Sequence, residues 1–255
     1  MARRLTALVV AHNEEKQLAD CLGTLRFADE VVVVLDRSTD GSARIAESFG
    51  AKLVQGDWPI EGDRRAAGIA AATGDWILEV DADERASSVL AEEIRTAIAG
   101  SDSGYFLVPF ANYIGRRLVR HGWGAYNGVS MKPCLFARGC KIWGRQRVHP
   151  RIELIGPKGQ LTATMTHYVY RDAADAIARL NRYTSLQAEQ MREDGKIGPL
   201  WPNIRRIWSR FWKSYVARRG YREGMHGLLL GVLSALYPIL SYLKARIAEE
   251  EARRP

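Results

Sequence analysis

The first hundred residues alternate short apolar runs with segments of helical spacing. Each run is too short and too rich in β-branched residues to be a helix. Residues 5–10, 31–35, 51–54 and 76–80 are therefore predicted strands. Between them, Leu18, Cys21, Leu22 and Leu25 mark one face of a helix, for which Asn13 is the predicted cap, with Glu14 and Glu15 in the first turn. The polar stretch 36–41 opens a second helix that runs through Phe49, and an Ala-rich third is predicted over residues 64–73. Strand and helix in regular alternation predict an α/β fold, with a mostly parallel, Rossmann-like sheet and helices on both faces.

Beyond residue 100 the pattern becomes aromatic and basic, with strands predicted at 105–110, 135–136 and 162–170. Asp172 is placed to cap a helix through Met191 whose inner side carries Ile177, Leu180, Thr184 and Met191. Asp194-Gly195 and Gly198-Pro199 break that helix. Residues 195–202 are accordingly the predicted boundary between a domain over 1–194, with halves 1–100 and 101–194, and a helical C-terminal region over 195–255.

Charge adds a division that hydropathy does not show. Residues 1–100 hold 11 Lys+Arg and 18 Asp+Glu, whereas residues 101–255 hold 26 and 11, and the whole chain carries +8. An acidic half suits a metal site; a basic half suits phosphates, nucleic acid or an anionic membrane. Three cysteines at spacings that match no zinc pattern predict reduced thiols. The apolar stretch after Arg3 and Arg4 runs into His12-Asn13-Glu14-Glu15 without a small-residue cleavage site, so no secretion signal is predicted.

Over 201–222, Arg205, Arg206, Arg210, Lys213, Arg218, Arg219 and Arg222 interleave with Trp201, Trp208, Phe211, Trp212, Tyr215 and Tyr221. Such a segment is either an interfacial helix on anionic lipid or a helix that packs its aromatics and solvates its charges. Residues 227–243 carry no charge. At ~1.5 Å per residue they fall short of a ~30 Å hydrocarbon core, and Pro238 interrupts them, which predicts a monotopic or re-entrant segment.

In an open parallel sheet the ligand crevice lies beyond the carboxyl ends of the strands. The residues there are Ala11, His12, Asn13 and Glu14; Asp36 with Asp40; and Asp81-Ala82-Asp83-Glu84. Asp40 reads as a helix cap. Asp36, at the end of a buried strand, can accept hydrogen bonds from a base or ribose. In extended geometry Asp81 and Asp83 point the same way, and two hard carboxylates suit Mg²⁺ or Mn²⁺ bridging to substrate phosphates. Such an ion would neutralise charge developing on a departing diphosphate.

Four blocks in order, Val9-Val10-Ala11-His12-Asn13-Glu14-Glu15, Asp36-Arg37-Ser38-Thr39-Asp40-Gly41, Thr73-Gly74-Asp75 and Asp81-Ala82-Asp83-Glu84, resemble the inverting glycosyltransferases of family 2 with their GT-A fold. The resemblance implies a nucleotide-sugar donor, most simply a UDP-sugar, held by Ala11, His12, Asn13, Glu14, Asp36 and Asp81. It places Arg65 near the phosphates and Asp83 as main metal ligand beside Asp81. The third helix departs from the family at Ala66, where relatives carry Asn. The second half resembles the subgroup that builds lipopolysaccharide core, including β-1,4-glucosyltransferases. The stretches that carry this likeness are His121-Gly122-Trp123, Leu135-Phe136-Ala137-Arg138-Gly139, Val148-His149, His167-Tyr168-Val169-Tyr170-Arg171 and Leu180-Asn181-Arg182-Tyr183. By that likeness His121, Trp123, Arg138 and His167 would meet a saccharide or glycolipid acceptor. The enzyme would be cytoplasmic and held peripherally or monotopically at the inner membrane.

Inverting transfer needs a base for the acceptor hydroxyl. Relatives supply Glu directly after the Val-His pair, where this chain has Pro150. Glu153 would share a strand face with His149 and Arg151 and is the first candidate, with His149, Glu84 and Asp102 as alternatives. Three other readings stand beside this one. A nucleotidyltransferase would show a Gly-rich phosphate loop, and residues 9–15 contain no glycine. A nucleic-acid-binding protein would use the basic half, although no nucleic-acid partner is predicted here. A sugar-nucleotide-binding relative without transferase activity is suggested by Pro150.

Overall fold

The computed structural model describes residues 3–122, 131–146 and 150–253. All four predicted N-terminal strands are present: β1 (Leu5–Ala11), β2 (Glu30–Asp36), β3 (Lys52–Gly56) and β4 (Trp76–Asp81), parallel to one another in the order β3-β2-β1-β4. Their side chains alternate between two cores. Leu5, Ala7 and Val9 of β1 enter a cluster with Leu18, Cys21 and Leu22 of α1 (Leu18–Gly23), Ala46 of α2 (Ser42–Ser48), and Leu90, Ile94 and Ile98 of α4 (Ser88–Ala99). Leu8, Val32, Val34 and Ile77 face the other way and pack with Ile69 and Ala71 of α3 (Glu61–Ala71). Helices therefore cover both faces of an α/β sheet. Gly68 lets α3 lie close, because a Cβ there would sit 2.4 Å from Leu8 Cδ1 and 2.7 Å from Val34 Cγ2.

The parallel part ends at β4. Antiparallel to it runs β8 (Met131–Ala137), which pairs in turn with β6 (Tyr105–Ile114); beyond them in the sheet order come β12 (Met165–Tyr170) and β5 (Glu84–Ala86), an antiparallel pair. Short strands β7 (Arg117–Leu118) and β11 (Lys158–Gln160) flank β6, and β9 (Lys141–Trp143) with β10 (Ile152–Leu154) forms a separate ribbon. The strand expected over 162–170 starts only at Met165.

The chain forms two compact units, Met1–Phe110 with Met131–His167, and Ala111–Ser130 with Tyr168–Pro255. The division falls within β6 and β12 rather than at 195–202. The Gly-Pro segment does break the chain, between α5 (Ala173–Glu193) and α6 (Leu200–Phe211), but both helices pack on α7 (Met225–Ala252) within the second unit. Asp172 caps α5 as predicted, its carboxylate accepting from Asp175 N at 2.8 Å. The inner stripe is rotated from the expected one. Ala176, Thr184 and Ala188 are buried while Ile177 is 53% exposed, because small residues eight and then four positions apart, on one side of the helix, let the helices approach.

Pro238 does not interrupt the C-terminal helix, which is continuous over 28 residues and about 42 Å long. It is long and apolar enough to cross a membrane by length and composition, yet half of its most apolar stretch is buried within the protein. Between α6 and α7 lie one π-helical turn, Trp212–Ala217, and one 3-10 turn, Gly220–Glu223. All three cysteines are free and buried, and burial pushes the Cys134 thiol up to about 12. They behave as small core residues.

Candidate active site

Strand register assembles the site in the first unit. Val10 lies opposite Asp81, and Ala11 opposite Leu35, so the carboxyl ends of β1, β2 and β4 stand side by side. The loops that follow β1 and β2 are stitched together by their polar residues. Asn13 does not cap α1, which begins only at Leu18 and has no side-chain cap. Its carboxamide instead accepts from Thr39 N at 2.8 Å, while Ser38 Oγ accepts from Asn13 N and Ser42 Oγ from Glu14 N, both at 3.1 Å. Glu15 and Asp40 accept from each other's neighbourhood, Gly41 N to Glu15 Oε2 and Glu15 N to Asp40 Oδ2, both at 2.9 Å. Asp40 also accepts from Ser42 N at 3.0 Å, but it stands one residue before the cap position of α2, which is Gly41 and has no side-chain cap. Asn13 and Arg37 hold positive φ of 55° and 50°, a strained conformation that these cross-loop bonds and the Asp36 pair maintain. His12 Nδ1 lies 2.6 Å from Asp36 O, and Ala11 is buried.

Asp36 is fully buried and its carboxylate takes four donors: Arg37 Nε and Nη2, Trp58 N, and Arg64 Nη1 at 2.9 to 3.2 Å. Burial pushes its carboxyl up, but the Arg37 and Trp58 bonds and the Arg37 and Arg64 charges outweigh that and hold it below the usual range. The roughly four lone-pair sites of a carboxylate are thus filled by protein.

Asp81 and Asp83 do not share one strand face. β4 ends at Asp81, residues 82 and 83 form a turn, and Glu84 begins β5. Asp81 Oδ1 accepts from Arg65 Nη2 at 2.7 Å, and Oδ2 lies 3.7 Å from Lys132 Nζ. The charges of Arg65 and Lys132 overcome the burial that would raise its carboxyl and keep it ionised. Glu84 is buried behind the turn, accepting from Asp81 N at 3.0 Å and from Lys132 Nζ at 2.6 Å. Burial raises its carboxyl despite Lys132. These bonds hold the turn shut.

Asp83 faces His167 instead, Oδ1 3.6 Å from Nε2. The ligand atoms of Asp83, Glu84 and His167 all lie within 4.8 Å of one another. His167, expected at the acceptor, is brought here because β12 runs antiparallel to β5 with His167 opposite Glu84. Phe110 supports it edge-on, ring centroids 6.0 Å apart, and Lys132 Nζ lies 4.4 Å from the same Phe110 ring. An aspartate oxygen and an imidazole nitrogen beside a second carboxylate offer the mixed donors and spacing of a divalent-ion site with open positions. The residues present fit such an ion.

Beneath this layer Lys141 and Glu79 form a buried ion pair, with Trp143 Nε1 donating to Glu79 at 2.7 Å and Lys141 to Pro133 O at 3.0 Å. Arg65 lies 5.1 Å over the Trp143 ring. The Nε atoms of Arg64 and Arg65 are buried without a hydrogen-bond partner among the described residues.

Two of the other expected residues lie at the opposite end of the sheet. Arg138 donates to the carbonyls of Ala72 and Gly74 at 2.7 to 3.2 Å, at the amino end of β4 and so at the far end of that strand from Asp81. Asp102 is exposed and ion-paired with Arg3, which precedes β1, again at the amino end of the sheet. Glu153 sits exposed on β10 opposite Ile142, and no ion pair or hydrogen bond joins it to the carboxylate cluster among the described residues. Arg151 lies just outside that strand, its carbonyl accepting from Gly144 N at 2.7 Å. Trp123 and His149 lie outside the described residues. In the second unit, His121 donates its backbone N–H to Glu223 at 2.9 Å, and its Nδ1 lies 3.2 Å from the same oxygen.

Sequence reasoning missed Lys132, the Glu79-Lys141-Trp143 layer and Glu223. Lys132 and Lys141 sit in short strands with no recognisable motif, and only their burial beside acids reveals them. His167, by contrast, stood out in the sequence as an acceptor candidate within the strand predicted over 162–170.

The pattern of Glycosyl transferase family 2 matches residues 6–143. The lipopolysaccharide core biosynthesis glycosyltransferase LpsC of Rhizobium meliloti is 26% identical over 259 residues, covering 94% of this chain and 91% of that protein. An uncharacterized glycosyltransferase of Rickettsia bellii is 26% identical over 264 residues, covering 96% and 87%. Among solved structures, glucosyl-3-phosphoglycerate synthase from Mycobacterium tuberculosis in complex with Mn²⁺, UDP and glucosyl-3-phosphoglycerate shares 22% identity over 45% of this chain and 46% of that one, with a TM-score of 0.38.

Proposed function

The chain belongs to Glycosyl transferase family 2, and on that premise we propose that it moves a hexose from a UDP-sugar, with inversion and with a divalent ion, to a saccharide of lipopolysaccharide core or of a lipid-linked acceptor at the inner-membrane surface. The observation that carries the proposal is the Asp83-His167 pair beside the turn at the end of β4. Asp83 and His167 would hold the ion, and when bound it would offset negative charge on the departing diphosphate. An imidazole in the donor set favours Mn²⁺ over Mg²⁺, which prefers oxygen alone.

The surrounding residues have distinct parts. Asp81 is kept ionised and fixed by Arg65 and Lys132, and the loops joined through Asn13 and Glu15 wall the nucleotide side. Arg64 and Arg65 each hold one unused buried N–H there, which a phosphate or ribose oxygen would satisfy. In the transfer, an acceptor hydroxyl oxygen forms the new bond to the sugar's anomeric carbon. The bond from that carbon to the diphosphate breaks with its electron pair leaving on UDP, and the hydroxyl proton passes to a carboxylate. Glu153 is the carboxylate proposed for this, with His149 as the other candidate.

The test is metal-dependent UDP release with a saccharide acceptor. Asp83→Ala should lower kcat/KM by at least about 10³-fold, several kcal/mol of lost charge stabilisation. Turnover that is unchanged in this variant overturns the proposal. Glu153→Gln should abolish transfer and leave UDP-sugar binding intact; normal transfer removes Glu153 as the base.

A further inference from the structure

Two elements of the second unit compete to explain how the protein would meet a membrane. The apolar helix α7 is the obvious one by composition, but its Leu230, Leu233, Ala235, Tyr242 and Ala245 are all buried. It packs against both α5 and α6, and Leu230 and Leu233 join Ile114, Val119 and Val169 in the core of the unit. Half of its most apolar stretch is thus taken up by protein, and its exposed Val232, Leu243 and Ile247 are not accompanied by exposed aromatic residues like those of α6.

Helix α6 has the opposite arrangement. Its inner face is Asn203, Ile207 and Phe211, continued by Ser214. Asn203 is buried and donates to Pro199 O at 3.0 Å, and Phe211 stacks on Tyr215 with centroids 5.3 Å apart. The outer face, continued onto the first residue of the π-helical turn, holds Trp201, Trp208 and Trp212, which are 71%, 77% and 63% exposed. With exposed Arg205 between them, they recur at spacings of four, three and four residues, which is one side of a helix. Three indoles on one solvent-facing side form an apolar face of the kind that marks an interaction site.

Charge decides which partner. Exposed Arg205 lies between these indoles along the helix and exposed Lys213 follows Trp212. Arg219 and Arg222 are exposed further along the chain, and residues 195–222 contain no Asp or Glu. The partner must be anionic, and it must accept apolar ring bodies while leaving each indole N–H a polar neighbour. The headgroup boundary of an anionic bilayer meets all three requirements.

We infer that the Trp201-Trp208-Trp212 face of α6, rimmed by Arg205 and Lys213, docks the protein on anionic lipid, and that α7 is a packed core helix rather than a membrane span. The inference deepens the membrane-side acceptor proposed above, but its test needs no turnover, so either can fail alone.

The full chain is mixed with vesicles of phosphatidylcholine, with and without phosphatidylglycerol, and co-sedimented. The wild type should bind only the anionic vesicles. Trp201→Ser, Trp208→Ser and Trp212→Ser together should weaken binding by about 100-fold or more, three interfacial anchors being removed. Arg205→Gln with Lys213→Gln should weaken it by about 30-fold, two charges at the strength of lipid attraction. Unchanged thermal melting in both variants shows that the fold is kept; if the tryptophan variant does not fold, the charge variant decides. Binding that survives the substitutions, equal binding to phosphatidylcholine alone, or no vesicle binding by the wild type overturns the inference. So does a face that proves instead to hold oligonucleotides or a second copy of the chain, seen as loss of either with the same substitutions.

Discussion

In the first unit the carboxylates of Asp36, Glu79, Asp81 and Glu84 are each matched by a lysine or arginine held in the same fold, whereas in the second unit Arg205, Lys213, Arg219 and Arg222 face solvent. The acidic half therefore carries far less free negative charge than its composition implies. Its cations orient the acids at the strand ends and leave Asp83 facing an imidazole. The basic half has too few acids to do the same. Some of the acids it does have are matched: Glu223 accepts from the backbones of Arg120 and His121 and from the Arg117 side chain at 2.8 to 3.3 Å, and Asp175 and Glu249 each pair with arginines in or adjoining their own helices. Matched charges build a site, and unmatched ones are left for a partner of opposite sign.

That comparison can be broken most forcefully at the buried pair beneath the site. Lys141→Met should cost about 3–5 kcal/mol by stranding Glu79, while adding Glu79→Leu should recover most of it. Chemical denaturation measures both, and a small loss in the single variant would mean that the matching is not structural. His167→Ala should reduce turnover by about 100-fold or more (≥ ~2.7 kcal/mol) and weaken Mn²⁺ binding, read by calorimetry, with little change in folding stability. Metal affinity at the wild-type level would return His167 to the acceptor side.

Within the second unit, Glu223→Ala should cost about 1 kcal/mol by leaving the part-buried N–H groups of Arg120 and His121 without their partner. Burial pushes the Glu223 carboxyl up, but the Arg120 and His121 N–H groups and the Arg117 bond hold it below its ordinary value of 4.5. Its folded value is thus the lower one, so its contribution is complete above about pH 4.5 and is lost as pH falls through the folded value. The variant should flatten the acid limb of a thermal-stability profile, and an unchanged limb would show that the carboxylate does not matter. Asn13→Ala should cost about 1 kcal/mol, loosening the β1 and β2 loops and raising KM for the donor more than it lowers kcat. The smallest effect belongs to the unmatched face: Trp208→Ser should change folding stability by no more than about 0.5 kcal/mol. A larger loss would mean that this indole packs inward.

Much of the first unit can be read from its sequence, since its order is local. Residues 5–10, 31–35, 51–54 and 76–80 form strands within a residue or two of expectation, as β-branched runs between helical segments must. The ordered blocks around Asn13, Asp36 and Asp83 likewise lie at strand ends. What local pattern missed is the detail of each turn. Asn13 looked like a helix cap and ties two loops together, and Asp81 and Asp83 looked set to point the same way along one strand, but Asp83 lies in the turn that Glu84 closes. In the second unit Pro238 looked like a break, yet burial on both sides keeps α7 continuous.

The sequence by itself determined the alternation of strand and helix, the acidic strand ends and the segregation of charge, because each depends on residues near one another in the chain. Only the tertiary structure decided which acid is left to face an imidazole. His167 meets Asp83 through the antiparallel register of β12 on β5. Lys132 reaches Glu84 from β8, and Arg65 reaches Asp81 from α3. The direction in which the α6 tryptophans point was likewise decided by Asn203 and Phe211 taking the inner side. Such choices depend on pairings between distant segments, and their energies exist only once those segments are packed together.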